Sequence, residues 1–299
     1  MTAATSVTST LGAIGEATEA LERAGIETAR QDAEWLLACV LRRERFRLYL
    51  DPGRTLSAHE ATRYLDLVIR RAAHEPLQHL LGFEEFYGLR LVVTPDVLIP
   101  RPETEGLVQW ALESLAVERD VVAADVGTGS GAIACALAQS RPDIRVLAVE
   151  QSLPALAIAA LNVERLGLAG RVQIVAGDLL APLAAGTLDL VIANPPYIPT
   201  AVLASLPAEV SDFEPREALD GGPDGLTVLR RIIAAAPSAL RPGGWIMMEI
   251  GEDQAGALAS LLAAEGFTGI RARRDLAGRE RYIAGQWAEP NAPAARMGC

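Results

Sequence analysis

From residue 120 to residue 196 the chain repeats one pattern: a short apolar run, then, between the earlier runs, an Ala- and Leu-rich stretch of helical character. The runs are DVVAADVGTG, RVLAVE, RVQIVAGD and LDLVIANPP. That alternation calls for an α/β fold, a doubly wound and mostly parallel sheet covered by helices on both faces. Further on, WIMMEIG reads as another strand, and GIRARRD with RYIAGQW as an antiparallel pair closing the sheet. The tail EPNAPAARMGC has no periodicity and is expected to be disordered.

Residues 10–82 keep a different period. Thr28-x-x-Gln31 has the form of a capping box, and Ala29, Ala33, Leu36, Leu37, Val40 and Leu41 behind it fall on one helical face. Ser57-x-x-Glu60 repeats the signal before Ala61, Tyr64, Leu65, Val68, Ile69 and Ala72. Asp51-Pro52-Gly53 between them is a turn. The segment reads as an N-terminal bundle of four or five helices that holds a partner or braces the second domain. In FEEFYGLRLVVTPDVL, residues 83–98, Tyr-Gly-Leu separates two strand-like runs, as in a hairpin joining the halves. The expected organisation is a helical domain over 1–82, a hairpin linker over 83–97, an α/β domain over 98–287 and a tail over 288–299.

A chain of 299 residues suits two domains that bury their own cores. With 27 Lys+Arg against 38 Asp+Glu, the net charge of −11 opposes non-specific binding to nucleic acid, where cationic side chains make the phosphate contacts. Cys39, Cys135 and Cys299 are odd in number and lack metal-ligand spacing, and His59, His74 and His79 have no carboxylate or Cys at such spacing. No metal site is expected. A basic n-region before an apolar run is missing from the start, and no apolar stretch is long enough to span a membrane. Reduced cysteines and the lack of these signals give a cytoplasmic expectation.

Asp125-Val-Gly127-Thr128-Gly129-Ser130-Gly131 follows a strand and opens a helix, so the backbone can pass close to a ligand where a Cβ would collide. Its third glycine comes one residue early for a dinucleotide fingerprint. Glu150 ends the next strand, where a carboxylate accepts both hydroxyls of a ribose; this serves NAD and S-adenosylmethionine equally. Asp178, after Gly177, closes the third strand where an acid or its neighbouring backbone N–H meets an adenine edge. Asn194-Pro195-Pro196-Tyr197 is delivered by LDLVIA to the carboxyl end of the sheet, and its two prolines fix φ and remove two N–H donors. The motif therefore presents acceptors. A planar NH2 group, on an amide or a base, can give its hydrogens to the Asn194 side-chain oxygen and the Pro195 carbonyl. Its lone pair is then turned toward an electrophile, with Tyr197 packed on its flat face.

With these motifs the chain resembles the class I S-adenosylmethionine-dependent methyltransferases, and among them the release factor glutamine methyltransferase family. Leu98-Ile-Pro-Arg101-Pro-Glu103-Thr104-Glu105 and Glu214-Pro215…Ala218-Leu219…Gly221-Gly222…Asp224-Gly225-Leu226 look like family signatures too. The resemblance implies the class I fold behind a helical substrate-recognition domain and hairpin, with methylation of the N5 amide nitrogen of the glutamine in the Gly-Gly-Gln loop of peptide chain release factors. S-adenosylmethionine would lie on Gly127, Thr128, Gly129, Ser130, Gly131, Glu150, Asp178, Leu179 and Asn194. The substrate would lie on Asn194, Pro195, Pro196 and Tyr197, of which Asn194, Pro195 and Tyr197 carry the chemistry. Glu150 stands where Asp is usual, and Leu179 where some members have an aromatic residue. The rival readings are a glutamine methyltransferase of a ribosomal protein, which typically has Pro-Arg-Ser-Pro where this chain has Pro-Arg-Pro-Glu, and an adenine-N6 methyltransferase acting on a flipped base. The charge opposes the second. An NAD-dependent oxidoreductase would leave the Asn-Pro-Pro-Tyr motif without a function, and a non-catalytic nucleotide-binding module would bind the cofactor without turnover.

Overall fold

The computed structural model describes residues 9–115 and 120–288, so the expected disordered tail from residue 289, with Cys299, lies outside the described residues. The chain divides into two compact units, one of Met1–Phe83 with Pro207–Phe213 and one of Glu84–Leu206 with Glu214–Cys299.

The first unit packs α1 (Thr10–Arg23), α2 (Ala29–Leu41), α3 (Ala58–Ala72) and α4 (Leu77–Leu81), with a 3-10 turn over Arg45–Tyr49. Ile14, Leu21, Leu36, Leu37, Tyr64 and Val68 are buried in its core. At the start of α3 the capping box forms: Ser57 Oγ accepts from the Glu60 N–H, and Glu60 Oε2 accepts from the Ser57 N–H at 2.8 Å. Thr28 differs from expectation. Its ψ of 21° is far from the extended geometry a cap needs, and its side chain caps nothing. The face of α3 is also rotated from the one read in the sequence. Leu65 and Ile69 are 58% and 60% exposed, and the inward row is Tyr64, Val68 and Arg71. Arg71 can be buried because Asp32 of α2 accepts from its Nε at 2.7 Å and Glu209 from its Nη2 at 2.7 Å. Arginine at that position hides its place in the apolar stripe.

The chain continues through the hairpin β1 (Phe83–Phe86) and β2 (Leu89–Val92). Tyr87 and Gly88 both have positive φ between the strands, as a tight right-twisted hairpin requires. Then come α5 (Pro102–Ser114), β3 (Val121–Val126), α6 (Ala132–Ser140), β4 (Ile144–Glu150), α7 (Leu153–Arg165), β5 (Val172–Ala176) and β6 (Leu188–Ala193). The first unit takes α8 (Ala208–Ser211); the second resumes with α9 (Thr227–Ala239), β7 (Leu240–Glu249), α10 (Ala255–Ala264), β8 (Phe267–Arg274) and β9 (Glu280–Trp287).

The seven-stranded sheet has the order β5-β4-β3-β6-β7-β9-β8, parallel through β7 and antiparallel at β9 and β8. Both faces are buried. Ala123, Leu190 and Ile192 face one core and Ala124, Val191 and Ala193 the other, so β3 and β6 must be apolar at successive positions. Asp189 is the exception within β6; its Oδ2 accepts from the Val122 N–H at 2.9 Å and its carboxylate pairs with Arg241. The strand order turns back between β3 and β6, which opens a crevice at the carboxyl ends of these two strands. No helix among the described residues is long and apolar enough to cross a membrane.

Candidate active site

At that crevice the second unit holds a cavity of about 160 Å³. The loop leaving β3 forms its floor. Gly127 and Gly129 have φ of 72° and 55°, and a Cβ on either would meet nothing within 4 Å, so the space above their backbone is open to a ligand. Val149 O accepts from the Gly127 and Thr128 N–H groups at 2.9 and 3.0 Å, which pins the loop to β4. Underneath, Asp125 Oδ2 accepts from Thr128 Oγ1 at 2.5 Å and from the Ala134 N–H at 3.0 Å. Burial pushes the Asp125 carboxyl up to about 7 against the pull of these bonds. Asn162 of α7 braces the loop as well, donating to Ser130 O at 2.9 Å and to Val92 O at 3.0 Å.

Glu150 lines the cavity at the end of β4. Its Oε2 accepts from the Gly129 N–H at 3.0 Å and its Oε1 from the Gln151 and Ser152 N–H groups at 2.8 and 2.9 Å. A carboxylate has about four lone-pair sites, so one remains for a hydroxyl. Asp178 and Leu179 line the wall beyond β5. Asp178 pairs with Arg231 at 2.6 Å, and Leu179 sits at φ 52°, a left-handed conformation that costs a branched residue about 1–2 kcal/mol.

Asn194, Pro195 and Pro196 form the wall facing the glycine loop, while Thr128, Ser130, Val97 and Leu98 complete the enclosure. Asn194 Nδ2 donates to Thr104 Oγ1 at 3.1 Å, and Thr104 Oγ1 donates to Glu249 Oε2 at 2.7 Å. Gly225 must be glycine, since a Cβ there would collide with the Tyr197 carbonyl oxygen. This accounts for one residue of the Asp-Gly-Leu signature.

Two expected site residues stand apart from the cavity. Gly131 caps the start of α6 at φ 82°, a left-handed conformation that favours glycine, and a Cβ there would be in ordinary contact with Ala159 of α7. Tyr197 turns away from the cavity, donating its hydroxyl to Glu249 Oε1 at 3.2 Å, while its ring packs on the core beneath the sheet. Burial raises the Tyr197 phenol above its usual range. Thr104 stands in the signature stretch from Leu98 to Glu105 without a role assigned from sequence, and Asn162 and Glu249 stand in no motif. For Glu249 a signal existed: a carboxylate ending the apolar run WIMME at the same sheet edge as Asn194. Burial pushes its carboxyl up to about 7, Thr104, Arg281 and Tyr197 pull it down, and Glu103 adds a smaller push upward.

Residues 13–82 match the family described as PrmC N-terminal domain, and residues 108–204 match the Methyltransferase small domain. The release factor glutamine methyltransferase of Geobacter sulfurreducens is 45% identical over 266 residues, covering 89% of this chain and 92% of that protein. The protein of the same name from Moorella thermoacetica is 47% identical over 272 residues, covering 90% and 95%. Among solved structures, a methyltransferase from Pyrococcus furiosus has a TM-score of 0.51 at 18% identity, over 68% of this chain and 90% of that one, a likeness of fold.

Proposed function

The chain belongs to the release factor glutamine methyltransferase family, and from that premise we propose that it methylates the N5 amide nitrogen of the glutamine in the Gly-Gly-Gln loop of peptide chain release factors, with S-adenosylmethionine as donor. The observation that carries this reading is the shared cavity: the open glycine backbone, Glu150 and the Asn194-Pro195 acceptors all line it. The residues present fit the donor. Gly127 and Gly129 leave room against their backbone, Glu150 has a lone pair for one ribose hydroxyl, and Asp178 with Leu179 form the wall suited to adenine. When bound, S-adenosylmethionine supplies an electrophilic methyl group.

The protein's own contribution is positioning. The substrate carboxamide nitrogen is a poor nucleophile because its lone pair is shared with the carbonyl. Asn194 Oδ1 and the Pro195 carbonyl, accepting its two hydrogens, hold the NH2 group so that the lone pair is turned out of conjugation. The same oxygens stabilise positive charge as it grows on nitrogen, an effect magnified where water is excluded. The first unit is the element we assign to recognition of the protein substrate, in the cytoplasm where translation factors act.

The test is to incubate the full chain with methyl-labelled donor, release factor, ribosomal proteins and nucleic acid, and to locate the label by mass spectrometry. Label on the glutamine of the Gly-Gly-Gln loop is expected. Label only on a ribosomal protein or on adenine would overturn the assignment.

A further inference from the structure

The side chain of Asn194 is an amide whose two ends have opposite chemistry, and the function above needs one end in particular. An NH2 group facing the substrate would repel the substrate's own NH2; only Oδ1 can accept from it. Nothing in the asparagine itself chooses between the two orientations.

The choice lies in the groups behind it. A threonine hydroxyl has one hydrogen to give and lone pairs to accept with, whereas a carboxylate can only accept once it is ionised, as Glu249 is above about pH 7. Thr104 gives its hydrogen to Glu249 Oε2 at 2.7 Å, so toward Asn194 it offers only lone pairs. Asn194 must answer with Nδ2, at 3.1 Å, and its oxygen is left for the cavity. Glu249 also accepts from the Tyr197 hydroxyl at 3.2 Å, and Arg281 Nη1 donates to that hydroxyl oxygen at 3.4 Å. One buried carboxylate thus holds the first and last residues of the Asn-Pro-Pro-Tyr turn, the first through Thr104 and the last directly. Thr104 and Glu249 are 4% and 2% exposed, which shields the chain of bonds from competition by bulk water.

The geometry points to Thr104 and Glu249 as positioning residues that fix the polarity of the Asn194 carboxamide, presenting its oxygen rather than its NH2 to the substrate amide. Tyr197 belongs to the same device. This inference rests on Asn194 being the substrate's acceptor, and the experiment separates the two.

Thr104→Val keeps the shape and removes the hydroxyl, and Thr104→Ser restores it. In the full-length enzyme with release factor as substrate, Thr104→Val should lower kcat by roughly tenfold to a hundredfold, the equivalent of one hydrogen bond to a charged group, with donor affinity changed by less than about threefold. Thr104→Ser should stay within about threefold of the parent in kcat. Because Thr104 acts through Asn194, adding Thr104→Val to Asn194→Ala should cost almost nothing further. Full kcat in Thr104→Val, equal loss in the Val and Ser variants, or losses that add in the double variant would each overturn the inference. If Asn194→Ala itself keeps full kcat, the reading of Asn194 has failed instead. Should Thr104→Val not fold, as thermal denaturation would reveal, Thr104→Cys provides the same comparison with a thiol that bonds weakly.

Discussion

Asp125 lies under the glycine loop and Glu249 behind Asn194, and burial pushes both carboxyls up to about 7. In the unfolded chain they titrate near 3.8 and 4.5. Between those values and 7 the native state keeps protons that the unfolded chain has released, so stability falls as pH rises through that interval and levels off above it. The melting temperature should therefore decline from about pH 5 to about pH 7.5, and decline less in Glu249→Gln, which has no proton to lose there. Calorimetric scans of both proteins across that range check this; parallel curves would mean that Glu249 ionises in the ordinary carboxyl range. At this scale the legible residues were those in contiguous motifs. Glu150 and Asn194 follow a strand and a fixed pattern, and both line the cavity. Thr104 and Glu249 are 145 positions apart, and their bond depends on how α5 seats against the end of β7, which no local spacing encodes. Tyr197 likewise bonds to Glu249 from another strand, a contact that the Asn-Pro-Pro-Tyr motif does not encode.

At the scale of elements, the strands of the sheet were readable because burial on both faces leaves a continuous apolar run in each of the inner strands. Their order in space was not, since it depends on crossovers rather than on composition. Helix starts divide cleanly between signal and geometry. Ser57 and Thr28 stand in the same sequence pattern, yet only Ser57 accepts from a backbone N–H, because its φ and ψ of −66° and 160° aim the hydroxyl at the first turn. Ser57→Ala should accordingly destabilise the fold by about 0.5–2 kcal/mol, while Thr28→Ala should change stability by less than about 0.5 kcal/mol. Urea denaturation of the two variants decides it, and equal losses would show that Thr28 caps α2 in solution. Hydrophobic period fails at α3 in an instructive way: Arg71 takes an inward position that an apolar residue would normally hold, since Asp32 and Glu209 satisfy its guanidinium. Leu65 and Ile69 are left outside, while Tyr64 and Val68 of the expected face stay buried.

Across the whole molecule, the division of labour assigned to the two units can be separated experimentally. Every residue lining the cavity lies in the second unit, whereas the first unit comprises Met1–Phe83 and the returning segment Pro207–Phe213. That segment was not foreseen from the sequence, because Glu209 reaches Arg71 across 138 positions and no run of residues announces it. Removing residues 1–82 takes away Asp32 and Arg71, and with them the ion pairs that hold Glu209. The segment after the Asn-Pro-Pro-Tyr turn should loosen, but the glycine loop, Glu150 and Asp178 keep all their own partners. S-adenosylmethionine affinity, measured by calorimetry, should therefore stay within about threefold of the full chain. Transfer to a short Gly-Gly-Gln peptide should fall only as far as the loosened segment disturbs Asn194. Transfer to intact release factor should fall much further, because a partner recognised over a large surface loses that surface entirely. The ratio of the two substrates carries the meaning: if peptide and intact factor decline by the same factor, the helical unit supports the fold and contributes nothing to recognition.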